Sequence, residues 1–178
     1  MKRVMSILIA SLLCLAPCSC SGQKVDNSTV KSLNLGRYLG TWYEIARFDH
    51  IFERGLTHAT AKYAINADGT ISVTNSGLKK GELKTSIGKA KTTDTVGRLR
   101  GSFVGPFYSD YRVMMLSDDY NYALVGSSSP KYLWILSRTP DVPTEVLTKI
   151  LDFASSRGYD TSKLIWVDQS SQRADNIR

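Results

Sequence analysis

The sequence predicts an all-β fold: an eight-stranded antiparallel up-and-down barrel with one C-terminal α-helix packed outside it. Three observations support this prediction. Apolar and polar residues alternate in short runs, turn-forming residues separate the runs, and the spacing becomes helical once, late in the chain. The 178 residues suffice for one domain, and 42% hydrophobic with 22% charged residues is a globular composition. Eight such strands can close into a barrel that encloses one small ligand.

Alternation with period two locates the individual strands. At residues 57–65, for example, every second position from Ala59 to Ile65 is apolar or aromatic, and a turn with Gly69 follows. We predict strands at residues 40–48, 57–65, 70–76, 82–92, 97–103, 110–116, 120–126 and 132–139. Their short connections favour antiparallel neighbours.

Helical spacing begins after residue 140. Asp141 and Pro143 are typical of a helix start, and Gly158 suits the position after the last turn. Between them, one apolar stripe is formed by Val146, Leu147, Ile150, Leu151, Phe153 and Ala154. We therefore predict an amphipathic helix against the outside of the barrel, with a short final strand at residues 163–167.

The N-terminus has the organisation of a secretory signal. Lys2 and Arg3 precede an uncharged apolar run at residues 4–16, which is shorter than the ~20 residues that span a bilayer. All three cysteines lie in or beside this segment, and a cysteine there is typical of a bacterial lipoprotein, whose two or more acyl chains give stable anchoring. We predict a lipoprotein signal peptide at residues 1–19 and acylation of Cys20. Acylation of Cys18, or cleavage without lipidation, remains the alternative.

The domain organisation follows from this reading of the N-terminus. Residues 20–32 are expected to be the lipidated cysteine and a flexible tether, and residues 33–178 the barrel domain. No cysteine follows Cys20, so packing alone must hold the barrel together. The net charge of +7 is carried by scattered residues, which indicates no nucleic-acid site. Weak attraction to anionic lipid head groups and a merely solvated surface both fit this charge.

Three sequence motifs carry a family resemblance. They are Gly40-Thr41-Trp42-Tyr43-Glu44-Ile45-Ala46-Arg47, then Asp119-Tyr120-Asn121-Tyr122-Ala123-Leu124-Val125, then Leu133-Trp134-Ile135-Leu136-Ser137-Arg138-Thr139-Pro140. In this order, and with a helix after the third, they resemble the three signatures of the lipocalins over residues 33–167. The first and third motifs are most similar to those of bacterial outer-membrane lipoprotein lipocalins, relatives of apolipoprotein D.

The resemblance implies structural roles for Gly40, Trp42 and Arg138. Trp42 is expected to close the narrow end of the barrel, with the Arg138 guanidinium packed across its ring in a cation–π contact. Arg138 is also expected to hydrogen-bond carbonyls of residues 35–38. These roles are structural, and the resemblance implies no catalytic residue.

Strand alternation predicts which side chains bind a ligand inside the barrel. The interior sets are Tyr111, Val113 and Met115 on one strand, Tyr122 and Leu124 on the next, and Tyr132, Trp134 and Leu136 on the last. Aromatic and apolar walls suit a long acyl chain. Together with the family resemblance, which implies an outer-membrane anchor and a role in cell-envelope maintenance or stress, these walls predict binding of a fatty acid or lysophospholipid. An error of one residue in alternation would exchange the two faces.

Glu44 alternates with Trp42 and is also expected to point inward. There its carboxylate would form an internal salt bridge, with a lipid head group as the other candidate partner.

Two other functions are compatible with the sequence. His58 could ligate a tetrapyrrole if it points inward, and His50 or His58 could serve an enzyme. However, no serine or cysteine is evidently paired with either histidine, and their spacing is not that of a metal site, so no cofactor, metal or catalytic residue is predicted.

Overall fold

The structure is a computed structural model that describes residues 24–170. Within this range the chain forms nine β-strands, two α-helices and a 3₁₀ turn at Thr161–Lys163. The strands are β1 (Gly40–Phe48), β2 (Thr57–Ile65), β3 (Ile71–Lys79), β4 (Glu82–Thr92), β5 (Arg98–Val104), β6 (Phe107–Leu116), β7 (Tyr122–Gly126), β8 (Leu133–Ser137) and β9 (Leu164–Trp166). The helices are α1 (Leu35–Tyr38) and α2 (Thr144–Ser156). The predicted barrel, outer helix and final strand are confirmed. The signal peptide and Cys20 lie outside the described residues.

Antiparallel pairing closes the sheet into a barrel. Each strand from β2 to β7 pairs with the next along the chain. Strand β1 completes the circle, because it pairs with β2, where Trp42 lies opposite Ala61, and with β8, where Glu44 lies opposite Leu136. Strand β9 extends the sheet beside the last residues of β1. Closure pairs the backbone groups that an open sheet would leave at its edges.

The two ends of the barrel differ in their covering. Helix α1 lies where β1 begins, and Tyr38 and Trp42 are buried there, so we call this the closed end. Because consecutive strands alternate in direction, the β2–β3, β4–β5 and β6–β7 connections also lie at the closed end. The opposite, open end carries the β1–β2, β3–β4, β5–β6 and β7–β8 connections. Gly81 and Gly105, with φ of 81° and 50°, allow the tight turns of two of these open-end hairpins.

Two apolar clusters lie on opposite sides of the barrel wall. The inner core contains side chains from all eight barrel strands and therefore fills the interior. The outer core joins β1, β6, β7 and β8 to helix α2, whose Ile150 and Ala154 are completely buried. Helix α2 thus lies against the outside of the barrel, as predicted from the sequence. No helix of residues 24–170 is long and apolar enough to cross a membrane.

The segment before α1 differs from the sequence expectation. A flexible tether was expected up to residue 32, but its described part is hydrogen-bonded along the outside of the barrel. The N–H of Asp26 donates to the carbonyl of Arg157, and the N–H of Val30 donates to that of Val113, each at 2.9 Å. We call residues 24–34 the strap. Because its partners are mainly backbone groups, its polar sequence gave no indication of this packing.

Candidate functional site

Three tyrosines form a floor inside the closed end. The hydroxyls of Tyr38 and Tyr111 lie 2.6 Å apart, and the hydroxyl of Tyr63 donates to that of Tyr111 at 3.1 Å. Burial raises the pKa of Tyr63 to about 12 and lifts the pKa of the other two well above the usual value. All three are therefore neutral phenols, and the floor presents aromatic rings without charge.

Arg138 holds the closed end together from outside the floor. Its Cζ lies 3.9 Å from the centroid of the Trp42 ring, which confirms the predicted cation–π contact. Its Nη atoms donate to the carbonyls of Arg37, Leu39 and Thr41 at 2.7, 2.8 and 2.8 Å. The acceptors thus extend further along the chain than the expected residues 35–38.

Above the floor the walls are apolar and contain open space. The inner core there is formed by Ile71, Val73, Ala90, Leu99, Val113, Ala123, Val125 and Leu136. Gly101 lies opposite Ala90 in the β4–β5 pair, and residues opposite each other in such a pair face the same side. A Cβ built on Gly101 would meet no atom within 4 Å. Gly101 therefore borders interior space that a ligand can occupy.

A buried ion pair interrupts the apolar wall towards the open end. Nη1 of Arg47 donates to Oε1 of Glu44 at 2.6 Å, and both side chains are buried. The salt bridge predicted for Glu44 is confirmed. Burial first, and then the nearby carboxylate of Glu53, raise the pKa of Glu44 to about 8, while Arg47 opposes the rise. Nη2 of Arg47 donates to the carbonyl of Glu53 at 2.7 Å, and its buried Nε has no hydrogen-bond partner within residues 24–170.

The β1–β2 loop adds a second polar group at the mouth. Oε2 of Glu53 accepts from Nε1 of Trp134 at 3.0 Å and lies 2.9 Å from Nε2 of His50. Burial alone would raise the pKa of Glu53, but hydrogen bonding with His50 and Trp134 outweighs burial and holds this pKa below its usual value. The His50 ring packs near Tyr132 and Trp134, which are themselves stacked with centroids 5.9 Å apart. The mouth is thus lined by aromatic rings around an ionised carboxylate.

Five of the eight residues predicted to face a ligand lie where a ligand in the barrel could contact them. Tyr111, Val113 and Trp134 belong to or pack against the inner core, as does Leu136, which was assigned to the same interior face. Tyr132 lies at the mouth against Trp134. Ligand binding by these residues stays a prediction.

The interior placement of Met115, Tyr122 and Leu124 is wrong. All three lie in or against the outer core, next to helix α2. For Met115 the cause is a register shift between Val113 and Met115, a β-bulge that reverses the alternation within β6. Strand β7 is apolar on both faces because the helix covers its outer side, so its alternation does not distinguish inside from outside.

Sequence reasoning missed several interior groups. Arg47 was not assigned to the interior, although an arginine within an otherwise apolar strand would have been a usable indication. Glu53 reaches the mouth from a loop, where alternation predicts nothing. His58, which the sequence offered as a candidate tetrapyrrole ligand, has its Nδ1 atom 2.9 Å from Oγ1 of Thr57. Within the described range, no three His, Cys, Asp or Glu side chains are grouped to hold a metal ion.

Comparisons with known proteins agree with the barrel and its signatures. Residues 33–169 match the model of the lipocalin-like domain, so the chain belongs to the lipocalin family. It is 44% identical to outer membrane lipoprotein Blc of Vibrio cholerae over 95% of this chain and 99% of that protein. It is 43% identical to Blc of Escherichia coli K12 over 94% and 98%. The solved structure of insecticyanin from the tobacco hornworm Manduca sexta superposes with a TM-score of 0.69 and 25% identity, covering 80% of this chain and 84% of that one.

Proposed function

We propose that this lipocalin is an outer-membrane lipoprotein that binds one fatty acid or lysophospholipid inside its barrel. The acyl chain lies along the apolar wall above the tyrosine floor, and the polar head lies at the Glu44–Arg47 pair. The observation that supports this proposal is the layout of the interior: an uncharged floor and apolar walls lead to the buried cation Arg47 near the mouth. A tetrapyrrole ligand remains an alternative that the same binding measurement tests.

The polar atoms near the mouth support a ligand with an anionic head. With a pKa of about 8, Glu44 holds a proton at neutral pH, so it does not neutralise Arg47 fully. The buried Nε of Arg47 has no hydrogen-bond partner within residues 24–170. Unpaired buried polar atoms are costly, and a carboxylate or phosphate can accept from the Arg47 N–H group.

The relatives support the location. Both Blc proteins are named outer membrane lipoproteins and match nearly the whole length of this chain. Together with the cysteine at the end of the signal segment, this supports an anchor at Cys20 and a role beside a source of lipid. These relatives are not named as enzymes, and the proposal requires no reaction.

Tryptophan quenching by a brominated fatty acid tests the proposal on the barrel, residues 24–178, prepared without its anchor. Trp134 lines the interior, Trp42 lies behind the floor, and Trp166 is exposed on β9. We expect quenching at one ligand per barrel, and we expect Trp134→Phe to remove most of it. The matched variant Trp166→Phe should keep the response. Quenching that survives in Trp134→Phe would mean that the ligand binds elsewhere.

A second variant blocks the interior without disturbing packed atoms. Gly101→Leu fills open space, and displacing two to four methylene groups of the ligand at ~0.8 kcal/mol each lowers its affinity about 15- to 200-fold. Arg100→Leu places the same side chain on the exposed outer face of the same strand and should leave affinity unchanged. Equal affinity of the two variants would refute an interior site.

A further inference from the structure

The strap fixes where the chain leaves the barrel. Nδ2 of Asn27 donates to the carbonyls of Ser127 and Ser128, in the β7–β8 connection at the open end. Asp26 is held at the C-terminal end of helix α2 by its backbone hydrogen bond to Arg157. From there the strap runs towards the closed end, where the N–H of Asn34 donates to the Tyr120 hydroxyl at 2.8 Å. Its N-terminal residues therefore lie at the open-end side.

The short distance to the anchor limits the orientation of the barrel. Cys20 precedes Lys24 by four residues, so the chain between them spans at most ~14 Å. From Cys18 the limit is ~22 Å. A nine-residue strand such as β1 is itself ~30 Å long, so a closed end resting on the membrane is beyond the reach from Cys20. The anchor thus permits the open end or the side wall to face the bilayer.

The four connections of the open end alternate in chemistry around the mouth. The β1–β2 loop exposes Ile51 and Phe52, the latter 75% exposed, and the β5–β6 hairpin exposes Val104 and Phe107, the latter also 75% exposed. These two connections are four strands apart, so they lie on opposite sides of the mouth. We call these four residues the apolar tips. Exposed large apolar side chains at this density are typical of a membrane or protein contact.

The other two open-end connections are basic. The β3–β4 hairpin carries Lys79 and Lys80, and the β7–β8 connection carries Lys131, all of them exposed. We call these the basic tips. The connections of the closed end carry the opposite charge, with Asp68 after β2, Asp94 after β4, and Asp118 and Asp119 after β6. An anionic surface therefore attracts the basic tips and repels these closed-end carboxylates.

We infer that the open end rests on an anionic lipid bilayer, with the apolar tips in the head-group region and the basic tips against lipid phosphates. The inference rests on the proposed function for its lipid anchor. It places the mouth directly on the bilayer, so that a lipid enters the barrel without crossing bulk water. Reach from Cys20 disfavours the closed end, and the apolar tips together with the basic tips favour the open end over the side wall.

Depth-dependent fluorescence tests the orientation on the mature acylated protein. The protein is reconstituted into vesicles of phosphatidylethanolamine and phosphatidylglycerol, and an environment-sensitive dye is attached to Phe52→Cys or Phe107→Cys. Two control positions are Ala67→Cys at the closed end and Ile87→Cys on the outer wall of β4, where the native side chain is 71% exposed and apolar. Protein without an added cysteine gives the background labelling.

Nitroxide lipids spin-labelled near the head group should quench the dye at positions 52 and 107 and leave it bright at 67 and 87. Quenching at position 87 would mean that the side wall lies on the membrane. Quenching at position 67 would mean that the closed end, rather than the open end, faces the membrane. Absence of quenching at all four positions would mean that the barrel stands off the bilayer. Each of these results overturns the inference. If the cysteines at positions 52 and 107 were protected from labelling in detergent, without vesicles, in a concentration-dependent way, the tips would contact a second copy of the chain. That result would also overturn the inference.

The charge contribution has its own variants. Lys79→Glu with Lys80→Glu should reduce quenching at position 52, as should replacement of the anionic lipid by phosphatidylcholine. Lys62→Glu with Lys89→Glu changes the net charge equally on the barrel wall and should leave quenching unchanged. Equal effects of the two pairs would refute a role for the basic tips. Fatty-acid binding by residues 24–178 is measured separately, so a failed orientation and a failed carrier function remain distinguishable.

Discussion

Replacement of Arg138 by alanine tests the assignment of the closed end as the stabilising part of the fold. The guanidinium lies over the buried Trp42 ring at 3.9 Å and donates to backbone carbonyls on both sides of the start of β1. It therefore joins α1, β1 and the β6–β7 connection, where Nε donates to the carbonyl of Tyr120 at 3.3 Å. Alanine removes all of these contacts and places nothing in the interior.

The magnitude follows from two contributions. A partly desolvated cation–π contact stabilises by ~0.5–2 kcal/mol. Hydrogen bonds to a charged group contribute ~1.5–3 kcal/mol each when buried, but water can replace the guanidinium at the exposed carbonyls, so we count about one of them. The free energy of unfolding should fall by about 3 kcal/mol. For a chain of this length that lowers Tm by roughly 6–12 °C.

Chemical denaturation and calorimetry of wild type, Arg138→Ala and Arg138→Lys provide the measurement. Lysine keeps the charge but lacks the planar fork, so it should recover only part of the loss. Arg37→Ala is the matched control, because its guanidinium also stacks on a ring, that of Tyr120 at 4.0 Å, but is exposed. It should cost less than about 1 kcal/mol. Equal stabilities of Arg138→Ala and Arg37→Ala would refute the reasoning, as would a lower ligand affinity per folded Arg138→Ala molecule.

Three further predictions concern the buried carboxyl, the strap and the outer helix. Between pH 4.5 and about 8 folded Glu44 keeps a proton that the unfolded chain has released, so unfolding free energy should fall as pH rises through this window. Glu44→Gln should flatten the profile in pH-dependent denaturation, and an unchanged slope would assign it to other groups. Asn27→Ala removes the hydrogen bonds to Ser127 and from Arg112, so the free energy of unfolding should fall by about 1–2 kcal/mol. Amide hydrogen exchange at Val30 should become faster, and unchanged exchange would contradict the role of the strap. Ile150→Ala should cost about 2–5 kcal/mol in denaturation while leaving ligand affinity intact, and altered affinity would place the helix in the site.

Strand and helix positions could be predicted because they depend on local patterns. Strands β1, β2 and β4 have the predicted bounds, since alternation and turn residues define both their ends. Helix α2 packs the predicted stripe against the barrel, with Ile150 and Ala154 completely buried and the other four members partly buried. The cation–π contact between Arg138 and Trp42 came from the family resemblance, because no local pattern joins residues almost a hundred positions apart.

The side of the wall that a residue faces was harder to predict. A β-bulge inserts one residue without changing composition, so the shift after Val113 moved Met115 outside. The same kind of shift between Glu44 and Ala46 lets Arg47 face the interior beside Glu44, although the two residues are three positions apart. Alternation alone would have separated this pair. The bulge therefore brings Glu44 and Arg47 together as the polar group of the candidate site. The sequence of β1 gave no indication of this bulge.

The two ends of the barrel divide stability and binding between them. At the closed end, the tyrosine hydroxyls pair with one another and the Arg138 guanidinium pairs with carbonyls, so its polar groups add to stability. Near the open end, burial raises the pKa of Glu44 to about 8, so at neutral pH it does not neutralise the buried Arg47, whose Nε also stays unpaired within the described residues. A well-packed apolar pair at those positions would often be as stable. The buried positive charge of Arg47 beside Glu44 is therefore better explained by a ligand whose polar head meets it than by folding, and an open end that faces the bilayer would bring that head to it.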